Sequence, residues 1–155
     1  MILTSGATLA AMPPELDLTI AAKLRAVGQR YTPNRRKLVD ILAAAGQPLA
    51  IPDILTQDSD LPQSSAYRNL AVLEQAHVVR RVVTDEEFAH YELAEDLTEH
   101  HHHLICSNCG RVEDVTIPPR FERNLSNVLD EVAEQAGFSA VSHRLDLVGL
   151  CRACG

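Results

Sequence analysis

Apolar residues along the first half of the chain recur with helical spacing. In LTIAAKLRAV, from Leu18 to Val27, they return every three or four residues, and Gly28 stands where such a helix would stop. In TPNRRKLVDILAAAG, Leu38, Ile41, Leu42 and Ala45 share one face; Thr32 can cap, Pro33 suits the first helical position, and Gly46 supplies the exit. Pro52 opens a short helix through Asp53, Ile54 and Leu55, and SSAYRNLAVLEQA turns Ala66, Leu70 and Leu73 inward. The period then falls to two. VVRRVV and FAHYEL, separated by TDEE, read as the strands of a hairpin. Three or four helices followed by a two-stranded wing is the winged-helix pattern.

The second half differs in kind. HHHHLIC and RVEDVTI read as strands, and Pro118-Pro119 break the chain. RFERNLSNVLDEVAEQA then carries Phe121, Leu125, Val128, Leu129, Val132 and Ala136 on one helical stripe before Gly137. AVSHRLDLVGL alternates as a last strand, with His143 on the side of Val141, Leu145 and Leu147. The expected fold is α+β: a loose tail over residues 1–17, a winged helix over 18–94, a hinge at 95–98, and a β-β-α-β module over 99–155.

Charge divides along the same line. Residues 20–81 hold nine Lys/Arg against five Asp/Glu, whereas residues 82–155 hold five against fourteen. A basic front half suits a polyanion and an acidic back half suits cations, so the net charge of −7 does not exclude nucleic acid. No apolar run approaches the ~20 residues of a membrane helix, and the first residues lack the basic start of a secretory signal, so a cytoplasmic protein is expected.

The four cysteines form two CxxC pairs, Cys106/Cys109 and Cys151/Cys154, each followed by glycine. Two intervening residues let one tight turn aim both sulfurs at one ion, and two such knuckles complete a tetrahedral site. A dithiol redox centre needs only one such pair, and two disulfides are the other alternative. A small β-β-α-β module short of aromatic residues gains most from a structural zinc ion.

His100 to His103 precede the first pair. On a strand, His100 and His102 face one way and His101 and His103 the other, so one tract can feed two sites. For His101 and His103 the candidate partners are His90 and Glu92 of FAHYEL, and Asp114; for His100 and His102 they are His143 and Glu122. A pH switch and a hydrolytic zinc site are the alternatives, the latter without an HExxH or an obvious nucleophile. The helix PQSSAYRNLAVLEQA is expected to present Gln63, Ser64, Ser65, Tyr67, Arg68 and Asn69 outward, as donors to phosphates and base edges. Arg35, Arg36, Lys37, Arg80 and Arg81 would neutralise flanking phosphates.

These stretches together resemble the ferric uptake regulator (Fur) family of bacterial metal-responsive repressors. The resemblance runs from about Leu24 to Cys154: QRYTPNRRKLVDIL, SSAYRNLAVLEQA, FAHYEL, HHHHLICSNCGRVED and GFSAVSHRLDLVGLCRAC. It implies a homodimer of winged helices joined by a C-terminal dimerisation domain, binding a palindromic double-stranded DNA operator and acting as a repressor, not an enzyme. It implies structural Zn2+ at Cys106, Cys109, Cys151 and Cys154. A regulatory Fe2+, Zn2+, Mn2+ or Ni2+ would sit between the modules on Glu92, His101 and His103, with Asp114 as a further ligand. A further metal would fall on His100, His102, Glu122 and His143, and Tyr67 and Arg68 match the tyrosine-arginine pair of the recognition helix. Many members take a regulatory ligand from a histidine after the second helix; QPLAIPDIL has none, and His90 is the proposed substitute. Two extra residues follow YEL, making Glu95 or Asp96 alternatives to Glu92. Zinc-dependent hydrolysis and a zinc-stapled interaction module are the competing functions.

Overall fold

The computed structural model describes residues 12–83, 89–139 and 142–155. It divides into two compact units, Met1–Glu99 and His100–Gly155.

The first unit contains α1 (Pro14–Ala26), α2 (Pro33–Ala45), β1 (Leu49–Ala50), α3 (Ile51–Gln57), α4 (Gln63–Gln75), β2 (Val79–Val82) and β3 (His90–Leu93). α1 starts four residues earlier than its apolar period suggests, so the expected tail is corrected at its end. Pro14 supplies a preset helical φ, and Glu15 and Asp17 place negative charge at the helix's positive end. Thr32 occupies the cap position of α2, but its side chain makes no capping bond; Pro33 and the left-handed Gly46 (φ 60°) set the limits of that helix. Ile20, Leu24, Leu38, Leu42, Ile54, Leu70 and Leu73 interlock in one core that also takes Val78, Val79 and Leu93. This is a winged helix-turn-helix.

The wing has three strands rather than two, in the order β1-β3-β2. β1 is too short to leave a pattern in the sequence, yet it pairs Leu49 with Tyr91 and Ala50 with His90. The hairpin turn expected at TDEE, and Phe88 after it, fall outside the described residues. The expected hinge contains a 3-10 turn at Glu95–Leu97, where Asp96 meets Lys23 of α1 at 2.6 Å.

The second unit is built from β4 (His102–Cys106), β5 (Val112–Val115), α5 (Pro119–Gln135) and β6 (Asp146–Gly149), in the β-β-α-β order. The sheet order is β5-β4-β6: β5 returns antiparallel through the first cysteine turn, and β6 lies parallel to β4 after the α5 crossover. The last strand is shorter than AVSHRLDLVGL suggests. His143 lies before the strand, not within it, and Ala140 and Val141 fall outside the described residues. Among the described residues of this unit only Ile105, Cys106 and Val112 are buried hydrophobics, and α5 buries none of its stripe. So small a core cannot by itself offset the entropy of ordering the chain.

Candidate metal centres

The two cysteine turns are brought together by the β4–β6 pairing, which sets Cys106 opposite Gly149 and lets Ser107 N–H donate to Gly149 O at 2.8 Å. Gly110, at φ 66°, closes the first turn by donating to Cys106 O, and Cys154 N–H and Gly155 N–H both donate to Cys151 O in the second. One Sγ from each of the four cysteines falls within 4.8 Å of the others, and Cys109 Sγ lies 3.8 Å from Cys151 Sγ. Four sulfurs each 2.3 Å from one zinc ion stand about 3.8 Å apart, whereas a disulfide requires about 2.05 Å. None of the four cysteines is joined to another by a disulfide.

Electrostatics favour a cation here. Backbone N–H groups of Cys151, Cys109 and Asn108 hold the Cys106 thiol down at about 6. Arg111 N–H acts on Cys109 in the same direction, but the neighbouring sulfurs of Cys106, Cys154 and Cys151 outweigh it and push that thiol up to about 12. Four thiolates cannot share this volume without positive charge, and a dication at its centre removes the conflict.

The even histidines converge on the first turn of α5. His102 Nε2 lies 2.9 Å from Glu122 Oε2, while His100 Nε2 and His143 Nε2 approach Glu122 Oε1 at 3.0 and 2.9 Å. Glu122 Oε1 and His143 Nε2 are buried and close but do not have hydrogen-bonding geometry. The His102 hydrogen bond, with the electrostatic influence of His100, His102 and His143 beside it, lowers the Glu122 carboxyl below its ordinary range. Three imidazoles and one carboxylate at these separations suit a four-coordinate N/O site, and a bound ion would spread them by a few tenths of an ångström.

The odd histidines face a different set. On neighbouring strands, Asp114, His103 and Asp146 form one row in register across β5, β4 and β6. Asp114 lies 3.8 Å from His101 Nε2 and 3.9 Å from His103 Nε2. Asp146 Oδ1 lies 2.9 Å from His103 Nδ1. The sequence reading missed Asp146, because only the parallel β4–β6 register brings it beside His103. An ionised carboxylate can only accept, so Nδ1–H donates to it, and in the neutral imidazole the Nε2 lone pair is left facing Asp114. Asp146→Ala should weaken binding of a divalent ion at His101 and His103 about 10- to 100-fold without releasing metal from the four cysteines. Competition against a chromophoric chelator measures this, and unchanged affinity would mean that the strand alone orients His103.

The two candidates from the first unit lie on β3. His90 is buried and flanked in register by Ala50 and Val82. Glu92, on the same face as His90, stands opposite Arg80 and is ion-paired with it. Glu95 and Asp96 are held by Arg80 at 3.6 Å and Lys23 at 2.6 Å respectively.

The outward face of α4 is narrower than expected. Gln63, Ser64, Tyr67 and Arg68 are exposed, but Ser65 is buried, which corrects its outward assignment. Its hydroxyl accepts from Asn69 Nδ2 at 3.1 Å and from Asn34 Nδ2 at 3.4 Å. Asn69 Oδ1 in turn accepts from Arg35 Nε at 3.1 Å, and Arg35 continues to Gln29 at 2.9 Å. Arg36 pairs with Asp17 and lies 4.4 Å over the Tyr31 ring. Ser65, Asn69, Arg35 and Arg36 therefore brace α2 against α4 and against α1. Helical periodicity could not distinguish a polar residue that meets solvent from one that meets another polar residue.

A winged helix-turn-helix joined to a unit with clustered thiolates and imidazoles defines a metal-responsive transcription regulator. The Ferric uptake regulator family model matches residues 26–148, and the chain belongs to that family. It is 31% identical over 135 residues to the Ferric uptake regulation protein of Cupriavidus metallidurans, spanning 84% of this chain and 90% of the relative. It is 29% identical over 142 residues to the protein of the same name from Synechococcus elongatus, spanning 88% and 92%. The solved structure of the Helicobacter pylori ferric uptake regulator Fur, which reveals three functional metal binding sites, matches with a TM-score of 0.70 at 24% identity, covering 96% of this chain and 94% of that one. Proteins of the family are transcription regulators and not enzymes, which removes the hydrolase alternative. Among the described residues no helix is long and apolar enough to cross a membrane.

Proposed function

We propose that the chain is a cytoplasmic repressor of metal-homeostasis genes that binds a palindromic operator as a metal-loaded homodimer. Cys106, Cys109, Cys151 and Cys154 hold structural Zn2+. Glu92, His101, His103 and Asp114 hold the sensed divalent ion, with His90 as the added ligand from β3. His100, His102, Glu122 and His143 hold a further ion. The observation that carries this reading is the parity of the histidine tract: alternating residues in β4 and in the two positions just before it serve two donor sets, each with its own carboxylate. A core histidine needs no such partition.

The apolar stripe of α5 supports the homodimer. Phe121, Val128 and Val132 are each at least half exposed, as are Val148 and Leu150 near the chain's end. An exposed apolar surface on a unit with so few buried residues suits an obligate partner with the same surface. On α4, Ser64, Tyr67 and Arg68 are the residues offered to DNA, while Ser65, Asn69, Arg35 and Arg36 hold that helix at its angle.

A bound divalent ion supplies a cross-link between side chains carried by separate elements. With Glu92 in the wing unit and the histidines in the other, full coordination requires one arrangement of the two units, and that arrangement spaces the two α4 helices for two half-sites. A preference of ~3 kcal/mol for it shifts the DNA-competent population more than 100-fold. Fluorescence anisotropy on a labelled palindromic duplex at fixed salt tests the reading. The full-length protein should bind more than about 100-fold tighter with one of Fe2+, Mn2+, Ni2+ or Zn2+ than without; equal affinities with and without every ion would contradict it.

A further inference from the structure

Arg80 is the residue on β2 directly opposite Glu92 on β3, and its Nε–H donates to Glu92 Oε1. The pair is little exposed, with side chains 12% and 7% accessible, and a second guanidinium nitrogen reaches Glu95 Oε2 at 3.6 Å. Arginine is positive at every accessible pH, so the guanidinium never loses its charge within this contact. A partly buried charge-assisted bond is also about twice as strong as a neutral one. We infer that Arg80 is an internal cation that competes with the sensed metal for the Glu92 carboxylate and thereby raises the metal concentration at which this regulator loads.

The competition follows from the inventory of lone pairs. A carboxylate has about four acceptor sites on two oxygens. A metal ion taking Glu92 either displaces the guanidinium or shares the carboxylate with it, and sharing draws electron density away from the ligand oxygens. Both routes weaken coordination. Displacement also parts a largely buried guanidinium from a carboxylate that neutralises it, with Glu95 Oε2 still 3.6 Å away. A structural cross-strand pair would stabilise the wing equally with and without metal; a competitor couples to metal through Glu92 alone.

This inference rests on Glu92 being a ligand, and a double-mutant cycle separates the two claims. Binding of Mn2+ and Co2+ is measured by calorimetry on the full-length protein, purified without chelation, for wild type, Arg80→Ala, Glu92→Gln and the double variant. Thermal melts are followed in parallel, with Arg80→Gln as the milder variant should Arg80→Ala not fold. The expected result is at least tenfold tighter binding in Arg80→Ala, weaker binding in Glu92→Gln, and no effect of Arg80→Ala in the Glu92→Gln background. Unchanged or weaker binding in Arg80→Ala and Arg80→Gln, with Glu92→Gln impaired, overturns the competition and leaves Glu92 a ligand. Unchanged binding in Glu92→Gln overturns both.

Discussion

Cys106→Ser should unfold residues 100–155 and release the structural zinc while the first unit keeps its helices. Structural zinc sites contribute about 10–16 kcal/mol of apparent binding free energy at neutral pH, and in small domains that energy is folding energy. The second unit has little else: Ile105, Cys106 and Val112 are its buried hydrophobics among the described residues, and Cys106 is one of the ligands. The first unit owns a separate core, from Ile20 to Leu93. Circular dichroism melts paired with metal analysis should therefore show loss of one cooperative unit together with the zinc. A Cys106→Ser protein that binds no zinc and melts like wild type would show that the sheet stands without its staple.

His101→Ala and His103→Ala should have the opposite profile. Each should leave the zinc and the melt of the second unit in place and reduce DNA affinity in the presence of the sensed ion to the metal-free level, a loss of roughly 100-fold. The contrast follows from position: His101 and His103 address Asp114 on one side of β4, and the cysteines are held by turns at the other end of that strand. His103→Ala also strands Asp146, an exposed aspartate that water resolvates at little cost. Anisotropy on the same operator, with zinc content measured on each sample, distinguishes loss of sensing from loss of fold. Metal-dependent binding that survives both substitutions would remove these histidines from the switch.

Both profiles come from residues whose roles are legible in the chain itself. The helix α2 was legible because Pro33 and Gly46 mark its limits and Leu38 and Leu42 repeat at helical intervals, and α4 because Ala66, Leu70 and Leu73 do. The cysteine spacing carried its own geometry, and the alternation of a strand separated the four histidines. What stayed hidden depended on register or on pairing between distant segments. β1 has two residues and acquires meaning only beside β3. Asp146 meets His103 only through a parallel pairing across the α5 crossover. Arg80 faces Glu92 because β2 and β3 align at that step and not one residue over, where every side chain would change face. Ser65 and Asn69 looked like outward donors because polarity is a poor guide where polar residues bond to one another.

The central claim is that metal and DNA bind one arrangement of the protein, so each must strengthen the other by the same factor. The most direct measurement is the affinity of the site at His101 and His103 for the sensed ion, determined with and without saturating operator duplex. The account predicts that the duplex tightens metal binding by the same factor, on the order of 100-fold, by which the metal tightens DNA binding, and that a scrambled duplex does not. Metal affinity that is identical with operator, with scrambled duplex and with none would contradict it.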